Sequence, residues 1–307
     1  MTGHGTVHAS REEGAEVGIG RAGTHHGEIL QGVFSVDGRC VRGLVTLQCT
    51  LFQAEVRASL EPGVRTVEVT PAWKVKALTA ARLALDALGL DDVGAHLVIR
   101  GAIPVCRGFG SSTSDIVAAV RAILSAAGAQ MDQAAIAALA VRSEVASDPL
   151  MFDRAVLFAQ RDGVVLEDFG VPLPSLDVLG FSTSLDGSGV STLDFPPARY
   201  SAGEVNEFER LRLLLRDALA EDDVHAVGVV ASTSARLNQR HLPVPQLEAL
   251  EQQVRDVGAL GLQVAHSGDL AGFLFDSSDR DLEERLDKAR RLLARLGVAE
   301  TWRFSSA

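Results

Sequence analysis

The chain has 307 residues, 47% of them apolar, 22% charged and only 5% aromatic, enough apolar content for one large domain or two modest ones. A formal net charge of -11 argues against a duplex-binding protein, which needs a basic face, but leaves room for a local nucleotide pocket. Three scattered cysteines, Cys40, Cys49 and Cys106, form no CxxC pair and speak against a disulfide framework or a thiolate zinc site; with no apolar run of 18 residues and no signal-like start, a soluble cytoplasmic protein is expected.

Residues 1–18 are rich in Gly, His and acid, which predicts a flexible start, with the core beginning near Val17. Val33 to Val36 ahead of Asp37-Gly38 is a hairpin signal. Strands are expected over 40–51, 51–60 and 66–70, with a turn at Glu61-Pro62-Gly63, so this first stretch reads as mostly antiparallel β. A helix over 73–88 stops at Gly89, and a strand follows over 95–103. Residues 111–126 place Ile116, Val117, Val120, Ile123 and Leu124 on one helical face. An Ala-rich helix covers 133–147, then strand, turn and strand cover 155–166 around Asp162-Gly163. Pro172 and Pro174 mark the expected boundary between an N-terminal domain, 19–171, and a C-terminal one, 172–307. The second part reads as strand 176–181, helices 204–219, 222–238 and 246–257, short strands 262–265 and 271–275, helix 280–296 and strand 301–304.

Chemistry concentrates where strand 95–103 meets helix 111–126. Pro104, Arg107, Gly108 and Gly110 lead into Ser111, Ser112, Thr113 and Ser114, the first turn of that helix. Four amides there lack intrahelical partners, and with the helix dipole they favour an anion. One capping residue would suffice for a structural helix, whereas four hydroxyl residues after two glycines suit a phosphate and Mg²⁺. No Lys follows the second Gly, so this is neither a Walker A loop nor G-x-G-x-x-G. Downstream, Glu144 and Asp148 are the nearby carboxylates; from the residues alone they read as a solvated helix residue and a turn or cap residue.

The stretch from Pro104 to Ser114 resembles the second motif of the GHMP kinases, and within them it looks most like the L-threonine kinases of cobalamin synthesis and propanediol utilisation. Gly23 to Gly32, ending Gly-Glu-Ile-Leu-Gln-Gly, resembles the first motif, and Ala265 to Gly272 the third. The resemblance implies an α+β, two-domain fold, with an N-terminal domain like domain 2 of ribosomal protein S5 and a ferredoxin-like C-terminal domain. It implies an ATP- and Mg²⁺-dependent kinase of a small hydroxylated amino acid or amino alcohol, L-threonine first, acting as monomer or homodimer without nucleic acid or membrane partners.

Residue by residue, the resemblance puts Ser112 and Glu144 on Mg²⁺, Asp148 on the acceptor hydroxyl, and Lys74 and Arg107 near the nucleotide. Glu28, His25, His26, His266, Ser267, Gly268 and Asp269 would shape the acceptor pocket. His25-His26 and Asp269 depart from the threonine kinase pattern, which leaves open another hydroxylated metabolite such as homoserine. An ATP-dependent decarboxylase and a non-catalytic sensor of the same fold are the remaining alternatives.

Overall fold

A long hairpin organises the molecule. In the computed structural model, which describes residues 17–105, 107–184 and 198–306, strand β1 (Val17–Val36) runs antiparallel to β2 (Arg39–Pro62) through Asp37-Gly38, both at positive φ. The expected flexible start lies outside the described residues up to residue 16; Val17 and Gly18 already belong to β1. The strand breaks expected near Leu51 are absent, because β2 continues unbroken to Pro62.

Strand β3 (Val67–Thr70), helix α1 (Val75–Ala87) and strand β4 (Val93–Arg100) form a crossover unit, and β3 pairs with β4 in parallel. The parallel pair stands beside the mostly antiparallel stretch expected up to residue 70: a helix between neighbouring strands carries the chain back to start the second strand from the same end. Helix α2 (Ser111–Ala126) lies directly on β1. A Cβ on Gly20 would sit 2.1 Å from the Ala118 carbonyl oxygen, so only glycine allows the strand so close. Helix α3 (Gln133–Glu144) and hairpin β5 (Val156–Ala159) and β6 (Val164–Asp168) follow, with Leu44 of β2 opposite Phe158.

The remaining elements are β7 (Leu176–Ser182), α4 (Ala202–Glu221), α5 (Val224–Asn238), α6 (Leu247–Val257), β8 (Gly261–Val264), β9 (Leu270–Asp276), α7 (Leu282–Arg295) and β10 (Thr301–Ser305). The strand order is β10-β7-β9-β8-β1-β2-β4-β3, and Pro172 and Pro174 lie between β6 and β7. Three apolar clusters cover this sheet: α1 to α3 pack over β1 to β4, α4 and α5 over the central hairpin, and α6 and α7 over β7 to β9. The registered link between β1 and β8 is the pair Glu28–Val264. Around it the β1–β2 register slips three times, between Gly23 and Thr24, His25 and Glu28, and Glu28 and Leu30. Such bulges re-aim side chains, and here they turn the first motif toward one cleft. No helix among the described residues is long and apolar enough to cross a membrane.

Candidate active site

Gly110 caps α2 in the left-handed conformation, φ 67°, and no side chain bonds the amides of the first turn. Ser114 N–H donates to the Gly110 carbonyl at 2.9 Å, which leaves the N–H groups of Ser111, Ser112 and Thr113 directed out of the helix. The buried face led by Ile116, Val117, Val120 and Ile123 fixes the helix beneath them. The Ser114 hydroxyl is not offered to a ligand: it donates to the Gly23 carbonyl at 2.6 Å and ties α2 to the first motif.

The loop ahead of α2 is held by its neighbours. Phe109 packs against Phe52, His26 and Trp302 at centroid distances of 5.0, 5.6 and 6.0 Å. Arg107 donates through Nε to Asp269 Oδ1 at 2.8 Å, and the Ser182 hydroxyl bonds the other Asp269 oxygen. Asp269 is thus a buried, paired carboxylate, not a free charge in the acceptor pocket. The Asp269 amide donates to the Arg107 carbonyl at 3.0 Å, and a Cβ on Gly268 would meet that carbonyl oxygen at 2.1 Å. Ser267 is exposed, and its carbonyl oxygen would lie 2.4 Å from a Cβ on Gly108. The second and third motifs therefore interlock.

Helix α3 ends at Glu144 rather than near Ser147, because Val145 turns to φ 73° and the Ser147 amide bonds the Gln160 carbonyl. A β-branched residue at positive φ is strained, and it aims Glu144 back at α2. The Thr113 hydroxyl donates to Glu144 Oε1 at 2.6 Å, and Lys76 approaches Oε2 at 3.3 Å. Burial raises the Glu144 pKa against the pull of the Ser112 and Thr113 hydroxyls. A buried carboxylate beside hydroxyl oxygens is a hard-oxygen set that fits Mg²⁺. Thr113 was expected on phosphate only; its bond to a residue 31 positions away carries no local signal.

Asp148 stands over Gly110, where a Cβ would lie 3.3 Å from Oδ2 and 2.3 Å from His25 Cδ2. His25 Nε2 lies 3.1 Å from Asp148 Oδ2, and His25 Nδ1 lies 3.8 Å from Glu28 Oε1. Burial alone would lower the His25 pKa, but the charge and hydrogen bond of Asp148, with Glu28 behind, lift it to about 9. That shift favours the protonated ring, which suits His25 to pair with Asp148 rather than to act as a base. Burial raises Glu28 to about 7 against the pull of His25, while His25 overcomes burial at Asp148 and holds it below the usual carboxylate range. Asp148 keeps 23% of its side chain exposed.

His26 is held by protein partners on both sides. The Trp302 indole donates to its Nε2 at 3.0 Å and the Gln263 amide lies 2.6 Å from Nδ1, so both nitrogens bind protein. Burial pushes its pKa down to about 3, and the neutral ring ties β1 to β8 and β10. His266 stays beside the cluster, donating from Nδ1 to Gln31 Oε1 at 3.0 Å, with its pKa lowered by burial. Lys74 precedes α1, lies 4.4 Å over the Trp73 ring and pairs with Asp115 of α2, so its charge is already engaged. Gln31, Thr46, Ser182 and Trp302 complete the surroundings; only Gln31 lay in a recognised motif.

Comparison with known proteins gives a consistent picture. The family model described as "GHMP kinases N terminal domain" matches residues 74–153. The chain is 28% identical over 187 residues to the L-threonine kinase of Salmonella typhimurium and 27% over 189 residues to that of Citrobacter freundii. Each match takes in 60% of this chain, and they span 61% and 64% of those relatives, less than two thirds of their length. A crystal structure of homoserine kinase from Cytophaga hutchinsonii superposes with a TM-score of 0.71 at 16% identity, covering 99% of this chain and 97% of that one. Likeness at that identity shows the fold.

Proposed function

We propose that this chain, which has a GHMP kinase N-terminal domain and the fold of that superfamily, transfers the γ-phosphoryl group of ATP to the hydroxyl of a small amino acid or amino alcohol, L-threonine foremost. One observation carries the reading: partly exposed Asp148 stands between the outward amides of α2 and the buried carboxylate of Glu28. That is where a hydroxyl must sit to attack a phosphate cradled at Gly108, Gly110 and the first turn of α2.

The amides of Ser111, Ser112 and Thr113 bind polyphosphate oxygens without deprotonation or movement. Glu144 with Ser112 would hold Mg²⁺, which supplies charge neutralisation on the phosphate oxygens. The acceptor oxygen attacks the γ-phosphorus in line; a new O–P bond forms as the bridging O–P bond to ADP breaks. Asp148 accepts the hydroxyl's hydrogen bond and then its proton. Because His25 lowers its pKa, Asp148 is a weak base, so it orients the hydroxyl early and takes the proton late.

An ADP-release assay with L-threonine, L-serine, L-homoserine and 1-amino-2-propanol tests this, with phosphorus NMR to identify the phosphomonoester. L-threonine is expected to give the highest kcat/KM, with O-phospho-L-threonine as product. No turnover with any of these hydroxylated acceptors would remove the reading.

A further inference from the structure

We infer that His25 is a positioning residue that divides the work of two carboxylates: it commits Asp148 to the acceptor's hydroxyl and leaves Glu28 to bind the acceptor's ammonium group. The inference rests on the kinase reading above.

His25 and Glu28 are each 2% exposed, buried where β1 meets β8. The His25 amide donates to the Phe109 carbonyl at 3.2 Å and the ring lies across Gly110, so its position is set from both ends. Its two contacts differ. At 3.1 Å the bond to Asp148 Oδ2 is a hydrogen bond, whereas Nδ1 stands 3.8 Å from Glu28, an ion pair without one. Both Glu28 oxygens, His25 Nδ1, Gln31 Nε2 and Thr46 Oγ1 are buried with no hydrogen-bond partner.

The charges facing this ring come from every neighbouring element. Asp148 approaches from the α3–β5 loop, Glu28 and neutral His26 from β1, and neutral His266 from the β8–β9 loop, while α2 presents uncharged Thr113. Two carboxylates thus face one ring, and Glu28, which burial holds at a pKa of about 7 against the pull of His25, keeps two oxygens without a hydrogen-bond partner. Burying such oxygens is costly unless a ligand supplies N–H donors and positive charge. A primary ammonium supplies both. An acceptor without it leaves Glu28 orphaned, which polar sites reject far more strongly than a lost methylene.

The test compares L-threonine with 3-hydroxybutyrate, the same skeleton without the amine, and with N-acetyl-L-threonine. Wild type should prefer L-threonine by about 100-fold or more in kcat/KM over either analogue. Glu28→Gln should shrink that preference to within about tenfold, mainly through KM for L-threonine, with KM for ATP unchanged. His25→Gln should instead lower kcat and move the acid limb of the pH profile upward, because Asp148 loses the cation that holds its pKa down. Should His25→Gln fail to fold, nitrogen NMR of the wild-type ring decides; protonation of both ring nitrogens at pH 7.5 is expected, and a neutral ring overturns the bridge. Equal turnover of L-threonine and 3-hydroxybutyrate by wild type would overturn the ammonium assignment while leaving the kinase reading standing. No ADP from any acceptor would instead sink the kinase reading itself.

Discussion

At the amino end of α2 the binding groups are main-chain amides and hydroxyls supplied by one contiguous turn, Ser111, Ser112 and Thr113. Across the cleft they are side chains, buried His25, Glu28 and Thr46 with half-buried Asp148 and His266, drawn from two strands and two loops. The proposed phosphate side keeps uncharged donors directed outward, a geometry that suits any polyphosphate. The acceptor side holds its charges in mutual contact, and its unpartnered atoms define what is missing. A fold that serves many acceptors can keep the first side nearly constant and vary the second. Here the variation includes the His25-His26 pair, which departs from the pattern that the threonine kinase resemblance leads one to expect.

Three experiments bear on that division. The largest effect is expected from Glu144→Gln, which should lower kcat by on the order of 10³ while calorimetric affinity for the acceptor is unchanged, because Glu144 bonds Thr113 on the phosphate side. Equal loss of acceptor binding would show that the two sides are not separable. Next comes Gly110→Ala, where both sides meet. The left-handed cap costs roughly 1 kcal/mol, and the new methyl collides with the His25 ring, so kcat/KM for the acceptor should fall about 100-fold. An unchanged kcat/KM would mean that His25 and Asp148 need not sit over the helix end.

The smallest effect is on stability. His25 has a folded pKa of about 9, above its ordinary 6.5, so its contribution is complete below pH 6.5 and is lost as pH rises through 9. Glu28, at about 7, is largely ionised above that pH. Urea unfolding should therefore show a loss of roughly 2 kcal/mol between pH 7 and pH 9. Because Glu28 rises further once the cation is gone, the control carries both His25→Gln and Glu28→Gln, where the decline should be absent; a decline of equal size there would assign the loss to another group.

What could be read from the chain follows the same division. Helix α2 matched its expected bounds because local signals agreed: a glycine before it, hydroxyls in its first turn and an unbroken apolar face. Glu144 and Asp148 could be singled out, yet their settings depend on Val145, whose positive φ no local rule predicts. The parallel β3–β4 pair was missed because short strands do not announce their direction. Ser114, Lys74 and His26 share one feature that the chain did not announce: each carries a group suited to a ligand, and Gly23, Asp115, and Trp302 with Gln263 engage it. Asp269 looked anomalous in its own motif and becomes ordinary beside Arg107, 162 residues earlier.

That last pair has a mechanical consequence. Gly108 fits under the Ser267 carbonyl and Gly268 under the Arg107 carbonyl, with the Arg107–Asp269 bond closing the joint. The two loops form a dovetail, each the other's wall. Neither can swing aside alone without breaking those contacts. Lengthening either loop by a residue would disengage both, and the two segments can change in length only together.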